Sequence, residues 1–169
     1  MRDKYWKMYH DIKHKEFYFY HYSLYNARIH FYIRAFLVLF SASNIGLWLV
    51  NDNEALVFLW AFLTLIAQAL QLIVPYMQFS KREIALKYML PQLSKLALDI
   101  DYEFINVDLD KYNEEEIANL FHKSRSKYIE LEITYTKPLH FPRKKACVQK
   151  ADEDCGVYFK HYYDAKEAS

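Results

Sequence analysis

Two uncharged apolar runs interrupt an otherwise charged chain: residues 35–50 (AFLVLFSASNIGLWLV) and residues 55–79 (ALVFLWAFLTLIAQALQLIVPYMQF). Only Asn51, Asp52, Asn53 and Glu54 separate them. The second run exceeds the roughly 20 residues that cross a bilayer core, and the first reaches that length if Phe31 and Ile33 join it while Arg34 snorkels to the interface. A soluble helix of this length would carry charge on its outer face, and neither run does. The pattern therefore predicts a transmembrane helical hairpin over residues 35–79 with a tight turn at 51–54. Arg28 and Arg34 precede the first span, Lys81 and Arg82 follow the second, and the turn is acidic. That asymmetry predicts a multi-pass protein with both termini in the cytoplasm. The polar, aromatic first 34 residues do not read as a signal peptide.

The flanks read as helix too. Residues 3–34 hold no Gly or Pro, and Tyr18, Tyr22, Tyr25, Ile29 and Ile33 recur at helical spacing. This predicts an N-terminal cytoplasmic helix over residues 1–34 that continues to about Val50. The second span is expected to run on without a break through residues 81–88, the start of a cytoplasmic helical region over 80–136. Ile84, Tyr88, Pro91 and Lys95 lie along one side of that region, and Pro91 is expected to kink or restart the helix. The helical pattern lapses around residues 99–110. Asn113 with Glu116 three residues on predicts a capping box opening a helix that Lys137-Pro138 ends. Residues 137–169 read as a short irregular tail, with Gly156–Phe159 a short strand or docking peptide. The fold class expected is all-α.

Composition narrows the function. Lys+Arg 22 against Asp+Glu 21 gives a net charge of +1, so the whole chain makes no case for nucleic-acid binding. Gly 2 and Pro 4 exclude a Gly-rich phosphate-loop fold and a turn-rich sandwich. No P-loop, GxGxxG or GxSxG motif is present, so no enzyme activity is expected, and no cofactor or catalytic residue is assigned. His10 and His14 stand at i, i+4 without further ligands on that face; Cys147 and Cys155 lack a zinc spacing. No metal site is expected. Asp99, Asp101, Asp108 and Asp110 read as turn and capping acids.

Polar residues at membrane depth are the sharpest signal. Thr64, Gln68 and Gln71 are spaced by four and three, a rhythm that Pro75 and Gln78 continue; in the first span Arg34, Ser41 and Asn44 fall at spacings of seven and three. An amide facing lipid leaves donors and acceptors unpaired, so each must face water or another helix. A two-span hairpin has little interior of its own. The seams therefore predict a homo-oligomer, a tetramer favoured, in which Ser41, Asn44, Thr64, Gln68 and Gln71 line a pore or join helices. On the cytoplasmic side Lys4, Lys7, Lys13 and Lys15 interleave with Trp6 and other aromatics, and Arg143, Lys144 and Lys145 form a basic run. Aromatic planes beside cations suit nucleotides or single-stranded nucleic acid: stacking for bases, charge for phosphates. Lys123, Arg125 and Lys127 add basic sites, and anionic lipid headgroups are a further class of partner. Packing of the same aromatics in a helical bundle is the plainer reading.

The order of parts resembles the SLATT family of bacterial two-transmembrane effectors. The matching stretches are His21-Tyr-Ser-Leu-Tyr-Asn-Ala-Arg28 before the first span, Lys81-Arg-Glu-Ile-Ala-Leu-Lys-Tyr88 after the second, and the helix over residues 114–135. The resemblance covers roughly residues 5–135 and is one of layout. It implies an inner-membrane effector of anti-phage defence that permeabilises the membrane, causing abortive infection, when a nucleotide signal changes. A cognate nucleotidyltransferase would make that signal. In the Hailong-type arrangement the resemblance implies an effector held closed by an oligodeoxyadenylate strand. The competing reading is a non-conducting membrane anchor or adaptor that scaffolds a signalling partner.

Overall fold

A computed structural model of the chain describes residues 1–41 and 54–167. Among them the protein is all-α, with five α-helices: α1 Arg2–Ser41, α2 Glu54–Ile73, α3 Phe79–Asp108, α4 Glu114–Leu131 and α5 Lys145–Glu167. The remainder of the first expected span, the turn at 51–53 and Asn44 lie outside the described residues. The chain divides into two units, Met1–Tyr25 with Arg82–Ser169, and Asn26–Lys81.

In the second unit, α2 is the one described helix long and apolar enough to cross a membrane, over Ala55–Ile73. It is not a core helix of this protomer: Phe58, Leu59, Phe62, Leu65 and Leu72 are all exposed, Phe58 to 77 %. At its end the structure departs from the expected unbroken run. Val74–Met77 is a single 3-10 turn with Pro75 near its start, and Gln78 takes a left-handed conformation (φ 54°) before α3 begins. Proline cannot donate to the helix and its ring collides with the preceding turn, so the chain stops and restarts here. The buried Asn26 side chain donates to the Phe79 carbonyl at 3.2 Å, and the buried His30 ring stacks on Phe79. Phe40 meets Trp60 at 5.1 Å between ring centres.

The first unit packs the start of α1 against α3, α4 and α5. Helical spacing on α1 brings Tyr5, Tyr9 and Ile12 to one buried face. They meet Met89, Leu93, Leu96, Ile100 and Phe104 from α3. Trp6 lies 4.9 Å from the Phe104 ring and 5.0 Å from Phe159. Aromatic pairs of this kind add about 0.5–1.5 kcal/mol each beyond area burial.

Three expectations need correction. Of the kink or restart expected at Pro91, the restart is absent: the proline lies inside α3, which runs on through it. Leu86, Met89, Leu93 and Leu96 hold the opposite face in the core, while Pro91 and Lys87, whose carbonyl loses its partner, are exposed. Residues 99–108 are helical, because Ala97, Ile100, Phe104 and Val107 continue the buried stripe through the acidic stretch. The acids sit on or beside that stripe: Asp101 accepts the Tyr9 hydroxyl at 2.6 Å. Tyr158, 3.0 Å from the same hydroxyl, donates in turn. Asp110 does serve as a turn residue: it is left-handed (φ 55°), with Lys111 N–H bonded to the Asn106 carbonyl and Asp110 N–H to that of Val107, a Schellman closure.

The third correction is the tail. Lys145–Glu167 is a helix of 23 residues, not an irregular segment, and Gly156–Phe159 lie within it. Cys147, Ala151, Cys155 and Phe159 are buried at helical spacing. The acidic run Asp152–Asp154 that suggested a loop lies within it, where His14 pairs with Asp152 at 2.8 Å and His21 with Asp154 at 2.6 Å. The expected capping box is present: Asn113 accepts from Glu116 N–H at 2.9 Å, and Glu116 accepts from Asn113 N–H at 2.8 Å. A π-helical turn, Glu132–Thr136, then ends α4 before Pro138.

Gly156 is exposed in mid-helix, and a Cβ there meets nothing within 4 Å. Glycine costs such a position about 0.5–1 kcal/mol relative to alanine. Gly156→Ala is expected to raise the thermal midpoint of the detergent-solubilised protein; a lower midpoint would show that the backbone at 156 is not free helix.

Candidate functional site

The first unit carries a groove of about 580 Å³. Lys4, Lys7, Asp11 and Lys15 recur on α1 at spacings of three or four, which places them along one helix face. Phe121, Arg125, Tyr128 and Ile129 face them from α4, with Glu132 at its end. Ile12 and Tyr128 are buried and form the floor; Lys4, Lys7 and Arg125 are exposed on the walls. Four cations stand against two carboxylates, Asp11 and Glu132.

The cations and rings are organised together. Lys15 Nζ lies 4.2 Å above the Tyr128 ring, and the Arg125 guanidinium 5.8 Å from that of Phe121. Burial, then the neighbouring Glu132 carboxylate, pushes the Tyr128 hydroxyl above its ordinary range, so the ring stays neutral at physiological pH. An aromatic floor, positive walls and two acceptors match the parts of a nucleotide: base plane, phosphate and exocyclic amine.

A second groove of about 580 Å³ continues from the first, sharing Lys15 and Glu132. It adds Tyr18, Phe19, Phe141, Lys137 and Arg143. Of the basic residues singled out in the sequence, Lys4, Lys7 and Lys15 thus line the first groove, and Lys15 and Arg143 the second. Trp6 and Lys13 do not. Trp6 is packed against Phe104 and Phe159; Lys13 is buried, paired with Glu16 at 2.8 Å and set 4.4 Å above the Tyr158 ring. Lys144 donates its backbone N–H to Tyr18 at 3.4 Å and holds its Nζ 5.2 Å above Tyr25. Lys145 is the exposed first residue of α5. Asp11, Phe121, Tyr128 and Glu132 escaped the sequence reading. Their partners on α1 lie over a hundred residues away, and only the basic pattern around Arg125 pointed there.

Of the polar residues expected at membrane depth, Thr64 is half-buried and its hydroxyl has no hydrogen-bond partner among the described residues. Gln68 and Gln71 are both exposed on α2, beside the buried Ala67. Ser41 closes α1. Among the described residues no cluster of His, Cys, Asp and Glu is arranged to hold a metal ion.

Buried hydroxyls and thiols set an alkaline limit. Burial pushes Tyr5 up to about 12 from 10.0, and burial with the nearby Asp152 pushes Cys155 up to about 11 from 9.0. A group whose pKa is raised on folding stabilises fully below its unfolded value and loses that contribution as pH rises through the folded one. The thermal midpoint is therefore expected to hold steady below about pH 9 and fall steeply between about pH 9 and 12. A midpoint that rises across that window would contradict the buried positions of Tyr5 and Cys155.

No protein-family model matches the sequence, and no curated protein or solved structure matches it either.

Proposed function

We propose that the protein is a homo-oligomeric α-helical membrane channel whose cytoplasmic bundle binds a nucleotide or short single-stranded oligonucleotide, the ligand state setting whether the pore conducts. The observation that carries this reading is the exposure of Gln68 and Gln71 on the helix Ala55–Ile73. An unpaired amide in hydrocarbon costs roughly 4–8 kcal/mol on a cyclohexane scale. Two such groups on one helix face call for neighbouring copies or a water-filled lumen. A two-span hairpin with both termini cytoplasmic places the groove of Lys4, Lys7, Lys15 and Arg125 on the side where such ligands occur. Ser41, Asn44 and Thr64 then join the two glutamines along the conduction path, and four copies enclose it.

Gating follows from population shift: a ligand that prefers one state by about 5.5 kcal/mol moves an ensemble from mostly open to mostly closed, or the reverse. The SLATT-like layout extends the reading to an inner-membrane effector of anti-phage defence, partnered by a nucleotidyltransferase that makes the signal. Its opening would disrupt the membrane of the infected cell. The test is ion efflux from liposomes holding the purified protein, with and without a short oligodeoxynucleotide or a cyclic dinucleotide. Efflux that responds to one of them is expected; liposomes that stay tight under every condition would favour a non-conducting adaptor.

A further inference from the structure

α3 has two apolar faces, and only one is used within the protomer. Leu86, Met89, Leu93, Ile100, Phe104 and Val107 are buried against the rest of the bundle. On the opposite side Ile84, Tyr88, Leu98, Tyr102, Ile105 and Leu109 are exposed by 41–68 %. Pro91 and Lys95 fall between them, so the eight positions step by 4-3-4-3-4-3-4 without exception. Leu109 extends the seam past the end of the helix, its N–H still bonded to the Ile105 carbonyl at 3.0 Å.

The geometry points to this seam as a parallel coiled-coil interface with a second copy of the chain. A strict repeat averaging 3.5 residues drifts around a straight helix of 3.6 and stays in contact only with a partner that supercoils around it; a copy carries the same repeat. The six apolar members run along the helix from Ile84 to Leu109, each at least 41 % exposed, so the uncovered stripe follows its whole length. Charges permit the parallel register. With Ile84 at position d, the flanking pairs between copies are Lys87 with Gln92, Ser94 with Asp99 and Asp101 with Asn106, none of like charge. Lys95 is the single charged residue at an a position, a placement that fixes register and copy number at some expense of stability. The parallel orientation rests on the membrane reading, since copies inserted in one bilayer point the same way.

The test is oxidative cross-linking of the full chain in native membranes. Leu98→Cys and Tyr102→Cys are each expected to give at least about tenfold more covalent dimer than Glu115→Cys on the exposed side of α4, or than the unmodified chain with its buried Cys147 and Cys155. Yields equal to the Glu115→Cys control would overturn the proposal. The same cysteines in a Gln68→Leu, Gln71→Leu background keep the two ideas apart. A dimer band that persists supports the α3 seam as an interface in its own right, and one that vanishes overturns it. A detergent-solubilised oligomer that nowhere cross-links through α3 sinks the seam and leaves the channel reading standing. A detergent-solubilised monomer sinks both.

Discussion

Replacing Gln68 and Gln71 together by leucine is expected to cut ion efflux from liposomes by at least about a hundredfold, equivalent to roughly 2.7 kcal/mol of added barrier, while the protein still inserts in the bilayer. The two glutamines are exposed on the one described helix long and apolar enough to cross a membrane. If they border water, leucine converts the wettest part of the path into a hydrophobic constriction, which stops ions by dewetting. If they only bind helices together, the loss is of another kind. Interhelical hydrogen bonds in membranes average about 0.6 kcal/mol, so glue predicts a modest shift in oligomer population and no steep change in conductance per oligomer. Measuring efflux and oligomer mass on the same preparation separates the two, and unchanged efflux with intact oligomers would remove the glutamines from the pore.

Reversing charge in the groove between α1 and α4 is expected to weaken binding of a fluorescent single-stranded oligodeoxynucleotide by about tenfold for Lys7→Glu and again for Arg125→Glu. Both side chains are exposed groove walls, so the fold has little stake in them. If each neutralises one phosphate, the slope of log affinity against log salt should also flatten by about 0.7 per lost contact on a single strand. Phe121→Ala removes a half-buried aromatic side of the groove, which predicts lost affinity with an unchanged salt slope, because stacking carries no counterion release. Lys145→Glu, at the exposed start of α5 and outside both grooves, is the matched control. An equal effect there would mean that general charge, and not the groove, holds the ligand.

Much of this architecture could be read from residue order, and the failures have physical causes. The capping box at Asn113 and Glu116 was legible because it depends on two side chains three positions apart. The helix α5 was not. Its outer face carries Asp152, Glu153 and Asp154 and its middle carries Gly156, which together imitate a loop, while the evidence for helix is burial against distant rings such as Trp6. The helix runs on through Pro91 because packing by Leu86, Met89 and Leu93 outweighs the local cost of the proline. At Pro75 that cost prevails, at a place where the apolar run concealed the break. The groove was half legible: the lysines of α1 announced themselves by interleaving with aromatics. Trp6, the most conspicuous ring among them, packs half-buried against the core, and the ring that floors the groove is Tyr128. Spacing alone cannot say which aromatic of an amphipathic helix turns inward when every face has one.

Single-channel recording in planar bilayers tests the central claim most directly, that copies of this chain enclose a gated aqueous path. Purified protein is expected to give discrete conductance steps. Their open probability should change when oligodeoxynucleotide is added to the side bearing the groove, and that response should be lost in Lys7→Glu, Arg125→Glu protein. A flat baseline from oligomeric, correctly inserted protein, with and without ligand, would contradict it.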